Sequence, residues 1–269
     1  MSKKPIRVYW WQPGASGRIN LGDEITRAIV ETVFERPVER AELADCEMVA
    51  IGSLLQIAVR NNLFATRVEP IHVWGTGLIG PREISARKAK YIYHAVRGPL
   101  TRCLVEAPAT LPLGDPGLLA DRVWAPCPEK RHAWGIIPHY SQIKHPEIER
   151  LHQQTPNSAL VDVTDPDIAR TMCTISACDR ILSTSLHGLI LADVYRVPNY
   201  WLDVGVDASG GSSWKFYDYF ASVGRARFEP LRSAELVQLD RHRVEALDLA
   251  HFDQVNRRQQ MLLLARPDL

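Results

Sequence analysis

The sequence predicts an α/β protein of two Rossmann-like, doubly wound domains facing a cleft. Three observations carry that prediction. Short apolar runs rich in Val, Ile, Tyr and Trp recur along the chain and end in turns bearing glycine or proline. Helical stretches alternate with these runs, the mark of an open parallel sheet. The alternation pauses at a proline-containing stretch, 125–131, and then resumes. A chain of 269 residues is long enough for two such units with cores of their own.

Residues 6–11 alternate and read as the first strand. Asn20-Leu21-Gly22-Asp23 is a turn, and a helix over 24–34 carries Ile25, Ala28, Ile29 and Val33 on one face. A buried strand over 46–51 closes on Gly52-Ser53 and leads to a short helix over 54–60. The strand over 71–74 closes on Gly75-Thr76-Gly77. A strand over 91–97 precedes a helix over 99–105 with Pro99 at its first position, where a missing N–H costs little. The second round has strands over 134–137, 159–163, 180–183 and 199–204. A helix over 165–178 takes Asp165 as its cap, and the apolar run 186–194 reads as another helix. Residues 205–213 are rich in Gly and Ser, the composition of a mobile loop. Residues 234–264 read as helical with a break near 247–252. The expected division is 1–124, 125–230 and a helical tail, 231–269, packing back on the first domain. Ligands of such sheets bind beyond the carboxyl ends of the strands.

Composition excludes several classes. Formal net charge is +1, with no basic run, so nucleic acid is not expected as a partner. No apolar run reaches the roughly 18 residues of a membrane span. Met1-Ser2-Lys3-Lys4-Pro5 carries charge but no apolar stretch follows it, so a signal peptide is not expected. Cys46, Cys103, Cys127, Cys173 and Cys178 are scattered, which fits reduced thiols in a cytoplasmic protein.

The chemistry-bearing residues sit at strand ends. Ser183-Thr184-Ser185-Leu186-His187-Gly188 joins a strand to a helix and puts His187 in the first turn. The first amides and the positive dipole end there favour an anion, and His187 beside it can move a proton. His139 follows another strand of the same sheet; either histidine can equally be structural. Asp23 can accept a sugar hydroxyl, act as a base, or simply cap its helix. Gly75, Gly77 and Gly80 match GxGxxG in form, but Pro81 stands where a nucleotide-binding helix should run. Arg97 can hold a carboxylate or phosphate, or serve in a salt bridge. Lys215 follows the glycine-serine loop and can close over an anion, or lie solvated. Asp115 and Asp203 lie near strand ends with nothing to pair them, and no metal-ligand grouping is visible.

In their order, Asn20-Leu21-Gly22-Asp23, Trp74-Gly75-Thr76-Gly77, Val96-Arg97-Gly98-Pro99, Gly114-Asp115-Pro116-Gly117, Ile136-Ile137-Pro138-His139 and Ser185-Leu186-His187-Gly188 resemble the polysaccharide pyruvyl transferase family. Tyr9-Trp10-Trp11 and Lys215-Phe216-Tyr217-Asp218-Tyr219 look most like its bacterial exopolysaccharide, xanthan-type ketal-pyruvate transferases. The resemblance implies a GT-B-like fold and transfer of pyruvate from phosphoenolpyruvate to two hydroxyls of one sugar. It implies no cofactor and no metal. The implied acceptor is a lipid-linked oligosaccharide, met by a cytoplasmic protein, peripheral at the inner face of the membrane. His187, His139 and Asp23 are then the expected catalytic residues. Arg97, Ser185, Leu186, Gly188 and Lys215 are expected to hold phosphoenolpyruvate, and Asn20, Gly22, Gly75 and Thr76 the acceptor. One residue departs from many family members, which carry arginine where this chain has Ser185. Arg18, Arg82 and Lys215 are the candidates to supply that charge. The competing readings are a GT-B glycosyltransferase using a nucleotide sugar and a non-catalytic polysaccharide-assembly protein.

Overall fold

Among the described residues every strand pairing is parallel, and the strands form two sheets of five. The computed structural model describes residues 3–14, 18–60, 67–82, 84, 90–205, 213–226, 229–233 and 250–269. The first sheet contains β1 (Ile6–Tyr9), β2 (Val38–Arg40), β3 (Met48–Val49), β4 (Ile71–Trp74) and β5 (Tyr91–Ala95), in the order β2-β1-β3-β4-β5. The second contains β6 (His132–Ile137), β7 (Ser158–Leu160), β8 (Cys178–Ser183), β9 (Asn199–Asp203) and β10 (Leu231–Arg232). From its far edge it runs β7-β6-β8-β9-β10. Both sheets therefore share the doubly wound order 2-1-3-4-5, although the sequence shows no internal repeat. In each sheet the chain reverses direction of travel at one point, between β1 and β3 and between β6 and β8. Such reversals leave a crevice beyond the carboxyl ends of the strands.

The helices are α1 (Leu21–Phe34), α2 (Leu55–Arg60), α3 (Pro99–Leu104), α4 (Pro146–Gln154), α5 (Ile168–Ser176), α6 (Leu186–Val194), α7 (Trp214–Val223) and α8 (His251–Leu264). Eight of the ten strands fall where expected, the short edge strands β2 and β10 were not foreseen, and the other differences have local causes. The expected turn at Asn20–Asp23 is the first turn of α1. Asn20 is extended at the cap position, and the Leu21 N–H donates to Val163 O across the two units (2.9 Å). α5 starts after Asp167, whose side chain accepts from the Arg170 N–H at 3.0 Å. Asp165, the expected cap, instead accepts from the Asp167 N–H and pairs with Arg170. The unforeseen α4 has a proline start but buries only Ile148 and Leu151, so its periodicity is weak. The stretches 206–212 and 234–249, in the expected loop and tail helix, lie outside the described residues.

A 3-10 helix, Pro116–Arg122, also escaped the sequence pattern. It lies between α1 and α6. A side chain at Gly117 would stand 3.3 Å from Ile190 and 3.8 Å from Ile25, so glycine lets the two helices close on it. One continuous apolar core runs through this junction, from Ile6, Val8 and Ile29 to Ile137, Ile181 and Ile190. Burying each such side chain contributes about 1.5–3 kcal/mol. α8 reaches back to the first sheet. Trp74 Nε1 donates to Leu262 O at 3.0 Å, and Arg266 donates to Val33 O at 2.9 Å. No helix among the described residues is long and apolar enough to cross a membrane.

Candidate active site

The two chain reversals face each other across a cavity of about 430 Å³. Trp11, Asn20 and Asp23 enter it from the β1–α1 connection, and Gly52, Ser53, Leu54, Gln56 and Ile57 from beyond the end of β3. His139 and Tyr140 enter after β6, Ser185, Leu186 and His187 after β8, and Lys215 from the first turn of α7. Thr184 ties two of these turns together, its Oγ1 accepting the His139 N–H at 2.8 Å.

His187 occupies the first turn of α6. Ser185 is its N-cap, accepting from the Gly188 N–H at 3.4 Å, which explains a serine there. The Leu186 and His187 amides have no intrahelical acceptor and so present donors at the cavity edge. Gly188 turns away from the cavity: a Cβ there would overlap Ser183 Oγ and stand 2.9 Å from Ile137. Gly22 lies beneath the His187 ring, where a Cβ would overlap Nδ1. The Asn20–Asp23 and Ser185–Gly188 motifs are thus two sides of one contact.

Three ionisable groups near the cavity are pushed toward neutrality. Burial raises the Asp23 carboxyl to about 7, opposed by the Asn20 hydrogen bond (Nδ2 to Oδ2, 2.6 Å) and by Lys215. Burial raises Asp115 to about 7, opposed by the Gly117 N–H and Arg97. Burial lowers His187 to about 3, with Lys215, Arg97 and His139 adding to it. Asp115 is the residue that sequence reasoning left unpaired. Its Oδ2 is 4.0 Å from His187 Nε2, and both atoms are buried without a hydrogen-bond partner. Nothing in the sequence around Asp115 signals this, because the 3-10 helix that brings it to α6 has no periodic pattern.

The expected binding residues divide. Asn20, Asp23, His139, Ser185, Leu186, His187 and Lys215 line the cavity. Arg97 does not. It is fully buried, with Nε on Asp218 Oδ2 (3.1 Å), Nη1 on Ser53 Oγ (2.7 Å) and Gly52 O (3.3 Å), and Nη2 on Leu78 O (2.6 Å). Its guanidinium holds the cavity floor from behind and has no donor directed at a ligand. Gly77 makes room for it, since a Cβ would stand 2.6 Å from Arg97 Cζ. Thr76 also serves the floor: its Oγ1 donates to Gly52 O (2.9 Å) and accepts the Leu54 N–H (3.2 Å). Gly75, at φ 92°, lets β4 end against Gly114 O and Pro116. Gly75 and Gly77 therefore serve close packing. Arg18 and Arg82 do not line the cavity, whereas Arg60, which was not anticipated, does. Trp11 and Tyr140 were also missed as wall residues. Their rings lie 5.4 Å apart at the cavity, and both follow strands whose ends were legible. Among the described residues, no three His, Cys, Asp or Glu side chains gather to hold a metal ion.

Fold and site define a two-sheet α/β protein whose cavity, walled by a lysine and a helix N-terminus, suits an anionic ligand. A family model described as polysaccharide pyruvyl transferase matches residues 20–205, and the chain belongs to that family of transferases. The match begins after β1 and stops before Lys215. The chain is similar to the uncharacterized protein L143 of Acanthamoeba polyphaga mimivirus, 24% identical over 257 residues, 88% of this chain and 82% of that protein. It is 25% identical over 230 residues to the succinoglycan biosynthesis protein ExoV of Rhizobium meliloti (strain 1021), 81% of this chain and 65% of ExoV. Among solved structures it resembles the calicheamicin glycosyltransferase CalG4, at 14% identity over 91% of this chain and 68% of that one. The TM-score is 0.38.

Proposed function

We propose that the chain transfers pyruvate from phosphoenolpyruvate onto two hydroxyls of one sugar, forming a cyclic ketal and releasing phosphate. The observation that carries this reading is the convergence of Lys215, the α6 N-terminus, two histidines and a carboxyl on one cavity in a chain of this family. Phosphoenolpyruvate concentrates a carboxylate and a phosphate on three carbons. Lys215 and the Leu186 and His187 amides are the groups to meet them, with Arg60 supplying further positive charge. The reaction needs a proton at the methylene carbon, which creates an oxocarbenium-like centre. One sugar hydroxyl adds to that centre, and the second displaces phosphate. His187 is the proposed proton donor and His139, oriented by Ser141 (2.8 Å), the proposed phosphate-side partner. Asp23, neutral or charged near pH 7, is placed to receive a hydroxyl proton. Trp11 and Tyr140 offer flat faces for the acceptor sugar ring.

ExoV is named for succinoglycan biosynthesis, which favours an exopolysaccharide repeat unit as acceptor. We take that acceptor to be lipid-linked, with a cytoplasmic enzyme acting peripherally at the inner face of the cytoplasmic membrane. The scheme calls for no cofactor or metal.

The test is direct. Phosphoenolpyruvate with a lipid-linked oligosaccharide should yield inorganic phosphate and a pyruvate ketal visible by mass spectrometry and NMR. His187→Ala should lower the rate about 10²–10⁴-fold with the melting temperature maintained. Full activity in that variant would remove His187 from the mechanism. Phosphoenolpyruvate at a hundred times its Kd should stabilise the fold by about 2.7 kcal/mol. Stabilisation by nucleoside diphosphates and not by phosphoenolpyruvate would instead indicate glycosyl transfer. No stabilisation by either would indicate a non-catalytic role.

A further inference from the structure

A buried imidazole pushed down to about 3 is a poor proton donor near neutral pH when it stands alone. His187 does not stand alone. Its Nε2 faces Asp115 Oδ2 at 4.0 Å, and each atom is sealed from solvent with no other partner. That distance exceeds a hydrogen bond and is too short to admit a bridging water. Catalytic hydrogen bonds are often long in the unliganded state and tighten around substrate. Asp115 is itself fixed: its Oδ1 accepts the Gly117 N–H at 2.9 Å, capping the 3-10 helix wedged between α1 and α6. With Nε2 sealed, Nδ1, which lies over Gly22, is the nitrogen left to meet a substrate in the cavity.

We propose that Asp115 is the proton partner of His187, holding the imidazole through Oδ2 and Nε2 and supplying the proton that Nδ1 passes to the donor's methylene carbon. The inference rests on the pyruvyl-transfer reading for its substrate, though not for its geometry. The step balances. The C–H bond forms as Nδ1–H breaks, and Nε2–H forms as Oδ2–H breaks, leaving a neutral imidazole and an Asp115 carboxylate. The first sugar hydroxyl then returns its proton to Nδ1 as its oxygen bonds to the ketal carbon, and Nε2 returns its own to Oδ2. The second hydroxyl's proton leaves with phosphate. The pair thus starts and ends holding one shared proton and titrates as a unit. The charged and titratable groups facing it are Asp23 from α1, His139, Lys215 and Tyr219 from α7, and the Arg97–Asp218 ion pair. Asp115 is by this account a positioning residue, acting through His187.

Asp115→Asn is the informative variant, because its Oδ1 can still cap the 3-10 helix. It should retain the wild-type melting temperature, the KM for phosphoenolpyruvate and the stabilisation by that ligand. Its kcat should fall about 10²-fold or more, and the limb of the pH–kcat profile belonging to the shared proton should disappear. A kcat within about threefold of wild type with an unchanged profile overturns the proposal. So does a collapse of melting temperature and ligand binding together, which would mark a structural role. A second readout needs no turnover. The ¹⁵N shifts of the His187 ring, assigned by loss in His187→Gln, should show Nε2 as a hydrogen-bonded acceptor in wild type with phosphoenolpyruvate or inorganic phosphate bound, and lose that signature in Asp115→Ala, where no donor is left at Oδ2. An Nε2 signal indifferent to Asp115 overturns the pairing. If wild type does not turn over phosphoenolpyruvate yet the signature is present, the pyruvyl-transfer reading fails while the Asp115–His187 pair stands.

Discussion

Arg97 and His187 are both buried ionisable side chains just beyond the carboxyl ends of strands, and the fold treats them in opposite ways. Arg97 spends its guanidinium on Asp218, Ser53, Gly52 and Leu78. Asp218 is equally committed, to Arg97 and to the backbone and hydroxyl of Thr101 at the α3 N-terminus. His187 and Asp115 are buried as deeply at the atoms that face each other, yet those atoms have no partner. Leaving a buried polar atom unmade costs about 1–3 kcal/mol. A site that bears this cost twice within 4.0 Å is holding groups ready for something other than cohesion. The comparison separates two roles that look alike in sequence: Arg97 ties α7 to the first sheet, and His187 faces the cavity.

The largest expected effect tests the first half of that contrast. Asp218→Asn strands a fully buried guanidinium and removes an acceptor from Thr101, so unfolding free energy should fall by about 3–5 kcal/mol in a urea titration. Saturating phosphoenolpyruvate should offset part of the loss. A fall below about 1 kcal/mol would mean the pair is not the tie described. Gly98 explains why the tie closes: a Cβ there would overlap the Asp218 carbonyl, so α7 could not approach α3.

Gly22→Ala tests the second half. A methyl at position 22 overlaps His187 Nδ1 and must push the ring off its place opposite Asp115. A displacement of about 1 Å costs on the order of 10²-fold in rate. Alanine is also the better residue within α1, by about 1 kcal/mol. Activity should therefore fall sharply while stability changes by less than about 1 kcal/mol. Loss of both together would show that Gly22 serves packing alone.

These contrasts also mark what the sequence could disclose. The parallel α/β class, the strand-end turns and several cavity residues were legible because each is encoded locally, by an apolar run and the small residues that end it. Arg97 and Asp115 were not. Both are charged residues beside a turn, and their roles depend on which distant element arrives. Asp218 comes from α7 to claim Arg97, and α6 brings His187 to Asp115. The glycines at 75 and 77 match a phosphate loop only in form, because sequence shows only that a side chain is absent. The structure shows what fills the space, Pro116 and Gly114 at one and Arg97 at the other. Trp11 and Tyr140 sit at strand ends that were identified, but their pairing across the cavity needs both sheets in place.

The smallest effect concerns Asp23, a third buried ionisable group without the full complement of partners that Asp218 has. Its folded carboxyl titrates at about 7 against 3.8 when unperturbed. Between those values the folded chain holds a proton that the unfolded chain has released. Folding therefore loses stability as pH rises across that window, and the loss levels off above about pH 7. Asp115 contributes in the same direction, and His187, lowered toward 3, contributes in the opposite one. Asn at position 23 keeps an acceptor for Asn20 and does not titrate. The drop in unfolding free energy between pH 6 and pH 8 should thus be smaller in Asp23→Asn than in wild type by about 1.4 kcal/mol, one unit of uncompensated titration. Parallel urea titrations at the two pH values measure it. An identical pH dependence in both proteins would mean that Asp23 is already ionised in the fold. It would then belong with Asp218 on the satisfied side of the contrast, leaving His187 and Asp115 as the groups the cavity keeps unpaired.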